Sequence, residues 1–387
     1  LIPDRRVTLE RGRIARIESS HTPVADTDAK HIINLEGKTL MPGLCDAHVH
    51  VTAWTANLAE VGRTSSSYTA IRAAGLMEAM LMRGFTTVRD EGGADYGLAQ
   101  AVEEGHIRGP RVLFCGEVLS QTGGHGDQRQ RGEEHDPGHL CDGVSAVRKA
   151  CREEIRKGAH HIKLMLSGGV ASPTDRITNT QFSLNEIRAA VEEAEMAGLY
   201  CTGHTYTARA VNRAIECGVR SLEHCNLIDR SSIALFLEHG AFMVPTLATY
   251  EALVREGVEA GMPKELNDKV YTVLDAGIEA LRLAHEAGVK IAYGTDLLGQ
   301  MQRHQLSEFA IRARVQSPID IIRSATCVAA ELFNEVGEIG VVAEGARADL
   351  LVVDGDPLSD LTCLQNPERY LKAIIKGGEF VEIPSRL

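Results

Sequence analysis

A chain of 387 residues, 44% hydrophobic and 24% charged, has the make-up of a soluble globular protein with room for one large domain and a smaller one. Its formal net charge of -12, without any basic run interleaved with aromatics, argues against nucleic acid as a partner. No stretch reaches the roughly 18 to 20 apolar residues of a membrane span, and nine scattered cysteines without a C-x-x-C pair form no disulfide framework, so a cytoplasmic protein is expected. The start, LIPDRRVTLE, has no signal-peptide pattern, although opening on Leu1 rather than methionine leaves room for a missing leader.

In chain order, VTLERGRIARIESS (7–20) alternates β-branched and polar residues around a glycine turn and reads as antiparallel strands. The run that ends in DAHVH (46–50) is the first of eight strand-like segments. GFTTVRD (84–90), RVLFCG (111–116), HIKLML (161–166), LYCTGH (199–204), VRSLEH (219–224), AFMVPT (241–246) and VKIAYGTD (289–296) follow, each ending at polar residues. Between most of them lie helix-like stretches such as SLNEIRAAVEEAEMAG and ARAVNRAIECG, with apolar residues three and four apart and a closing glycine. Strand and helix in alternation imply parallel pairing, and eight strands are the count of a closed (β/α)8 TIM barrel, an α/β fold, over residues 43–340. The Gly/His/Asp-rich stretch 120–143 is too long for a routine connection and reads as a functional loop. The tail, from ARADLLVVDGDPLSDLTC through YLKAIIKGGEFVEI, again reads as strands without helices between them. A small β-sandwich built from both termini, 1–42 and 341–387, is the economical arrangement.

Chemistry on a barrel is built at the carboxyl ends of the strands. Those ends carry His48 and His50 on the first strand, Lys163 in the fourth, His204 on the fifth, His224 on the sixth and Asp296 on the eighth. Strand side chains alternate with period two, so His48 and His50 point the same way. Singly, such histidines are more often satisfied core residues; together with a carboxylate they suit zinc and related divalent ions, and two ions can share such a set. Lys163 alternates with Leu164 and Leu166 and so faces the barrel interior. Its plain reading is an ammonium paired with a buried carboxylate. Beside two cations, a carbamate formed from carbon dioxide, an anion able to bridge both, balances charge better.

This set, His-x-His, lysine, histidine, histidine and aspartate on strands one, four, five, six and eight, resembles the binuclear branch of the amidohydrolase superfamily. NLEGKTLMPGLCDAHVH and GEIGVVAEGARADLLVVDGDPL are typical of those enzymes. GFTTVRDEGG, SQTGGHGD, KLMLSGGVASPTD, GHTYTARAV, SLEHCNLID and YGTDLLG are similar to its dipeptidase group, which includes Xaa-Pro dipeptidases, imidazolonepropionase-like enzymes, lysine/arginine carboxypeptidases and ochratoxin-hydrolysing amidases. The resemblance covers essentially the whole chain, and no ligand position departs from the pattern.

It implies two divalent metal ions, zinc by expectation: His48, His50 and Asp296 on the first, His204 and His224 on the second, and carboxylated Lys163 between them. Two ions lower the pKa of a bridging water towards neutrality, and Asp296 takes the proton of the resulting hydroxide attack to the leaving amine. His125 and Tyr206 are expected to reach the rim and bond the scissile carbonyl or the substrate carboxylate. His135, His139, His160, His161 and His304 are left as structural or solvated, and Arg89, Asp90, Ser172 and Asp175 carry no assigned chemistry. The expectation is a homo-oligomeric metal-dependent hydrolase of small carboxylate-ended amides: dipeptides of the Xaa-Pro kind first, N-acyl amino acids such as ochratoxin or C-terminal Lys/Arg as alternatives. A non-catalytic scaffold on the same fold is the alternative from another class, and it predicts lost ligands.

Overall fold

The segment SLNEIRAAVEEAEMAG shows how the layers form. The Ser183 hydroxyl accepts from the Glu186 nitrogen while the Glu186 carboxylate accepts from the Ser183 nitrogen, a reciprocal cap worth about 1 kcal/mol. The helix Leu184–Met196 then buries Ile187, Ala190, Val191 and Ala194 against the strands and stops before Gly198, whose φ of +72° a side chain would strain. The helix Ala208–Glu216 repeats the pattern, with Thr207 as its cap and Gly218 after its end.

The computed structural model describes residues 2–22, 32–35, 37–133 and 140–381. Strands β1 (Arg5–Glu10) and β2 (Arg13–Ser19) form an antiparallel hairpin, and β3 (Thr39–Pro42) leads into the barrel. The barrel strands are β4 (Leu44–Val49), β5 (Phe85–Asp90), β6 (Arg111–Phe114), β7 (Ile162–Met165), β8 (Cys201–Thr207), β9 (Ser221–Leu227), β10 (Phe242–Val244) and β11 (Lys290–Ile291). They pair in parallel and in sequence order, β4 to β6 in one sheet and β7 to β11 in the other. Backbone hydrogen bonds join the two sheets at both seams: Leu119 N to the Lys163 carbonyl (2.9 Å) on one side, and Ala47 N to the Tyr293 carbonyl (2.7 Å) on the other. The expected (β/α)8 barrel is thus present. Its eighth strand pairs with β10 over Lys290–Ile291 and through the Ala292 nitrogen to the Met243 carbonyl, while the Tyr293 carbonyl and the nitrogens of Thr295 and Asp296 bond β4 across the seam.

Strands β12 (Leu350–Val353), β13 (Leu371–Lys376) and β14 (Glu379–Phe380) form an antiparallel sheet with β3. One face packs Leu40, Leu350 and Ile375 against Ile14, Val7 and Ile17 of the hairpin; the other packs Met41, Leu351 and Ile374 against Met77 and Phe85 of the barrel layer. Strands from the two ends of the chain therefore pack on one another, the β1–β2 hairpin against one face of this sheet. The expectation of no helix in the tail was wrong. Short helices span Thr362–Gln365 and Pro367–Tyr370, because Pro367 is preset for a first helical turn and Cys363 and Leu364 have a barrel-side core to enter. No helix among the described residues is long and apolar enough to cross a membrane.

Candidate metal centre

His48 lies in β4 and His50 just beyond it, with ring centroids 5.4 Å apart. The His224 ring, in β9, is 5.1 Å from His48 and 4.7 Å from His204, in β8. Asp296 enters from the seam, where its nitrogen bonds the His48 carbonyl at 2.8 Å. Its Oδ1 is 3.2 Å from His50 Nε2 and 3.5 Å from His48 Nε2, and its Oδ2 is 4.0 Å from His224 Nδ1. One donor atom each from His48, His224 and Asp296 lies within 4.8 Å of the others. The backbone is held in the left-handed region at His224 (φ 72°), Thr246 (φ 47°) and Asp296 (φ 51°), strain of the kind that gathers at functional sites.

The donor set fits a divalent ion. His48 Nδ1 is bonded to Glu223 Oε2 at 2.7 Å and His50 Nδ1 to the Gly92 carbonyl at 3.0 Å, so both present Nε2 towards Asp296. That is how metal-binding imidazoles are oriented, one nitrogen held by an acceptor and the other free. Burial holds His204 and His224 well below the usual histidine range, leaving neutral rings with lone pairs. At Asp296 burial pushes upward, but the surrounding imidazoles, with His50 in direct hydrogen bond, outweigh it and hold the carboxyl below its usual range. His50 is pushed up to about 9, its own burial being overcome by Asp296.

Lys163 does face the interior, while Leu164 and Leu166 pack under the helices. Only 1% of its side chain is exposed, and its Nζ donates to Glu91 Oε2 at 2.7 Å rather than pointing to a histidine. Here the plain reading, a buried ion pair, is what the structure shows. Glu91 also faces Arg89 Nε at 2.9 Å and His161 Nε2 at 3.2 Å. Arg89 reaches on to Glu223 Oε1 at 2.9 Å. Burial pushes both carboxyls up, yet Arg89 leads the charges that hold both below the usual range. The buried charges of Arg89, Glu91, Lys163 and Glu223 balance.

Tyr206 lies in β8, stacked on His224 at 5.2 Å, and its oxygen accepts from the Tyr250 hydroxyl at 3.2 Å, which frees its own proton for a further acceptor. His125 stacks on His204 at 4.0 Å and bonds Ser172 Oγ at 2.8 Å. Ser172 must donate to Asp175, whose carboxylate only accepts, so its oxygen takes the His125 Nδ1 proton. Burial lowers His125 to about 4. A neutral ring in this tautomer offers an acceptor at Nε2, not the donor expected for a developing oxyanion. Ser172 and Asp175 thereby gain a place, and Lys269 pins their loop through the carbonyls of Gly169, Ser172 and Asp175.

His160 bonds the Phe114 nitrogen and His304 pairs with Glu256, away from the rim; His135 and His139 lie outside the described residues. Sequence reasoning missed Glu91 and Glu223. Period two would have linked Arg89 to Glu91, and Glu91's partners Lys163 and His161 to each other. For Glu223 and His224, adjacent in the chain, the same rule sends one inward and one outward. Both turn to the site only because His224 and Cys225 (φ 58°) leave the extended conformation.

An amidohydrolase family model matches residues 39–380. An ochratoxinase of Aspergillus niger is 33% identical over 370 residues, 89% of this chain and 76% of that protein. Among solved structures, a prolidase crystallised with N-methylphosphonate-L-proline is 48% identical with a TM-score of 0.95, covering 98% of this chain and 94% of that one. A Xaa-Pro dipeptidase with methionine in its active site is 29% identical with a TM-score of 0.88, covering 97% and 94%.

Proposed function

The chain belongs to the amidohydrolase family and is a hydrolase of carbon–nitrogen bonds, and from that premise we propose that it cleaves dipeptides, Xaa-Pro first, at a centre of two divalent ions. The observation that carries the reading is the convergence of His48, His50, His224 and Asp296 on one rim, in a chain 48% identical to a prolidase that binds a proline phosphonate. His48, His50 and Asp296 would hold one ion, His204 and His224 the other, with Lys163 between them as a carbamate. Zinc suits this donor set. When bound, such ions supply water activation and polarisation of the scissile carbonyl.

Asp296, 20% exposed and already surrounded by imidazoles, accepts the proton of the attacking water and passes it to the leaving nitrogen as the C–N bond breaks. Tyr206, its oxygen held by Tyr250, donates to the carbonyl oxygen or the substrate carboxylate. His125 accepts at Nε2, which suits an amine proton of the substrate. The identity to ochratoxinase supports a second reading, an amidase of N-acyl aromatic amino acids. The same proposal divides the chain into a catalytic barrel over 43–340 and a composite sandwich from 1–42 and 341–387.

The test is a screen of zinc-loaded protein against dipeptides and N-acyl amino acids. Release of proline from Xaa-Pro is expected; release of aromatic residues alone favours the second reading; no cleavage of any carboxylate-ended amide by metal-loaded protein overturns both.

A further inference from the structure

A single buried guanidinium touches both sides of the candidate centre. Arg89, in β5, is fully buried; its Nη2 lies 2.9 Å from Glu223 Oε1 and its Nε 2.9 Å from Glu91 Oε1. The remaining oxygen of each carboxylate faces a candidate ligand: Glu223 Oε2 is 2.7 Å from His48 Nδ1, and Glu91 Oε2 is 2.7 Å from Lys163 Nζ. The Nε proton itself goes to the Ala47 carbonyl at 2.7 Å, one residue before His48, so Arg89 holds Glu223 by a hydrogen bond and Glu91 by charge. We propose that Arg89 is a positioning residue for the metal centre, setting through Glu223 the tautomer of His48 and through Glu91 the direction of Lys163 Nζ. This rests on the metal reading above.

Glu223 only accepts, so His48 must carry its proton on Nδ1 and present a bare Nε2 to the site. Glu91 accepts an Nζ–H whether that nitrogen is an ammonium or a carbamate, since a carbamate nitrogen keeps one hydrogen. The same contact thus serves Lys163 before and after its ammonium gives up two protons to water and the nitrogen bonds the carbon of carbon dioxide. A structural ion pair alone has no reason to spend one oxygen of each carboxylate on a ligand. The guanidinium is needed because it donates from fixed directions, Nη2 to Glu223 and Nε to the Ala47 carbonyl, while its charge lies against Glu91, a combination an ammonium does not reproduce.

Glu223→Gln tests this without changing shape. Arg89 Nη2 and Ser221 Oγ both donate to Oε1, so they keep the amide oxygen there. The amide nitrogen then faces His48 Nδ1, which must accept, and the proton moves to Nε2, where it blocks a metal. The expected result is zinc affinity of the apo protein 10- to 100-fold weaker, by competition with a chromophoric chelator, the range for lost partners of metal-bound histidines. The thermal midpoint of the apo protein should stay near wild type, and the visible absorption of the cobalt-loaded protein should change. Glu91→Gln should weaken zinc binding similarly, and Arg89→Lys should do so if it folds. Zinc affinity of Glu223→Gln within twofold of wild type overturns the positioning role. If wild type itself binds no divalent ion, the metal reading fails. The tautomer of His48, read by long-range proton–nitrogen NMR, then decides the positioning role: a change in Glu223→Gln supports it and no change sinks it.

Discussion

One methyl group at Gly294 tests how tightly the seam holds His48. A Cβ there would sit 2.3 Å from Val244 Cγ1, 3.0 Å from His48 Cβ and 3.3 Å from the His48 nitrogen. Carbon pairs are comfortable at about 3.5–4.0 Å, so the methyl is roughly 1 Å or more too close to Val244. Val244 cannot retreat freely, being fully buried in β10 with Ala47, Phe242 and Ala292 around it. Gly294 does not occupy a positive φ; it is glycine because two strands meet there. Gly294→Ala should therefore destabilise the apo protein by about 1–3 kcal/mol, the usual cost of overpacking, measured by denaturant unfolding. Because His48 borders the same methyl, zinc affinity should fall about tenfold in parallel. Adding Val244→Ala removes both γ carbons and should return part of the stability, with a favourable coupling of about 1 kcal/mol or more in the double-mutant cycle. Wild-type stability in Gly294→Ala, or a coupling below about 0.5 kcal/mol, would refute the packing argument.

Asp296→Asn keeps size and one ligating oxygen but cannot take a proton, so kcat should fall about 10²- to 10⁴-fold while metal content, measured by elemental analysis, stays high; near-normal turnover at full metal would remove the proton role. Tyr206→Phe keeps the stack on His224 and loses one neutral hydrogen bond, about 1 kcal/mol of stability. Its kcat/KM should nevertheless drop by about 10² or more if the hydroxyl meets developing charge, and an unchanged value would leave Tyr206 as packing only. Glu308 is buried, and burial raises its carboxyl to about 7 even though Arg312 opposes the shift. Its folded value exceeds the unfolded one, so its relative stabilisation is complete below pH 4.5 and is lost as pH rises through about 7. Glu308→Gln should abolish that loss and gain on wild type by on the order of 3 kcal/mol between pH 4 and pH 8; a stability difference independent of pH would contradict it.

Local periodicity and residue type are visible in a sequence because they act over a few residues. The alternation of His48 with Val49, the capping pair Ser183 and Glu186, and the apolar stripe of the helix Leu184–Met196 need no distant partner to be read. Eight strand endings in order were therefore enough for the barrel and for its rim of histidines and Asp296. The tail helices escaped notice because Cys363 and Leu364 are turned inward by a barrel core formed far away in the chain. The electrostatics of the site were equally out of reach. Glu223 meets His48 across 175 residues and Glu91 meets Lys163 across 72, and nothing in either neighbourhood names the other. Tertiary structure alone decided that Glu223 and His224 both face inward, through a left-handed backbone at His224 and Cys225 within β9. It also decided that Ser172 and Asp175 leave His125 an acceptor, because a proton's place depends on the whole hydrogen-bond chain rather than on the residue that carries it.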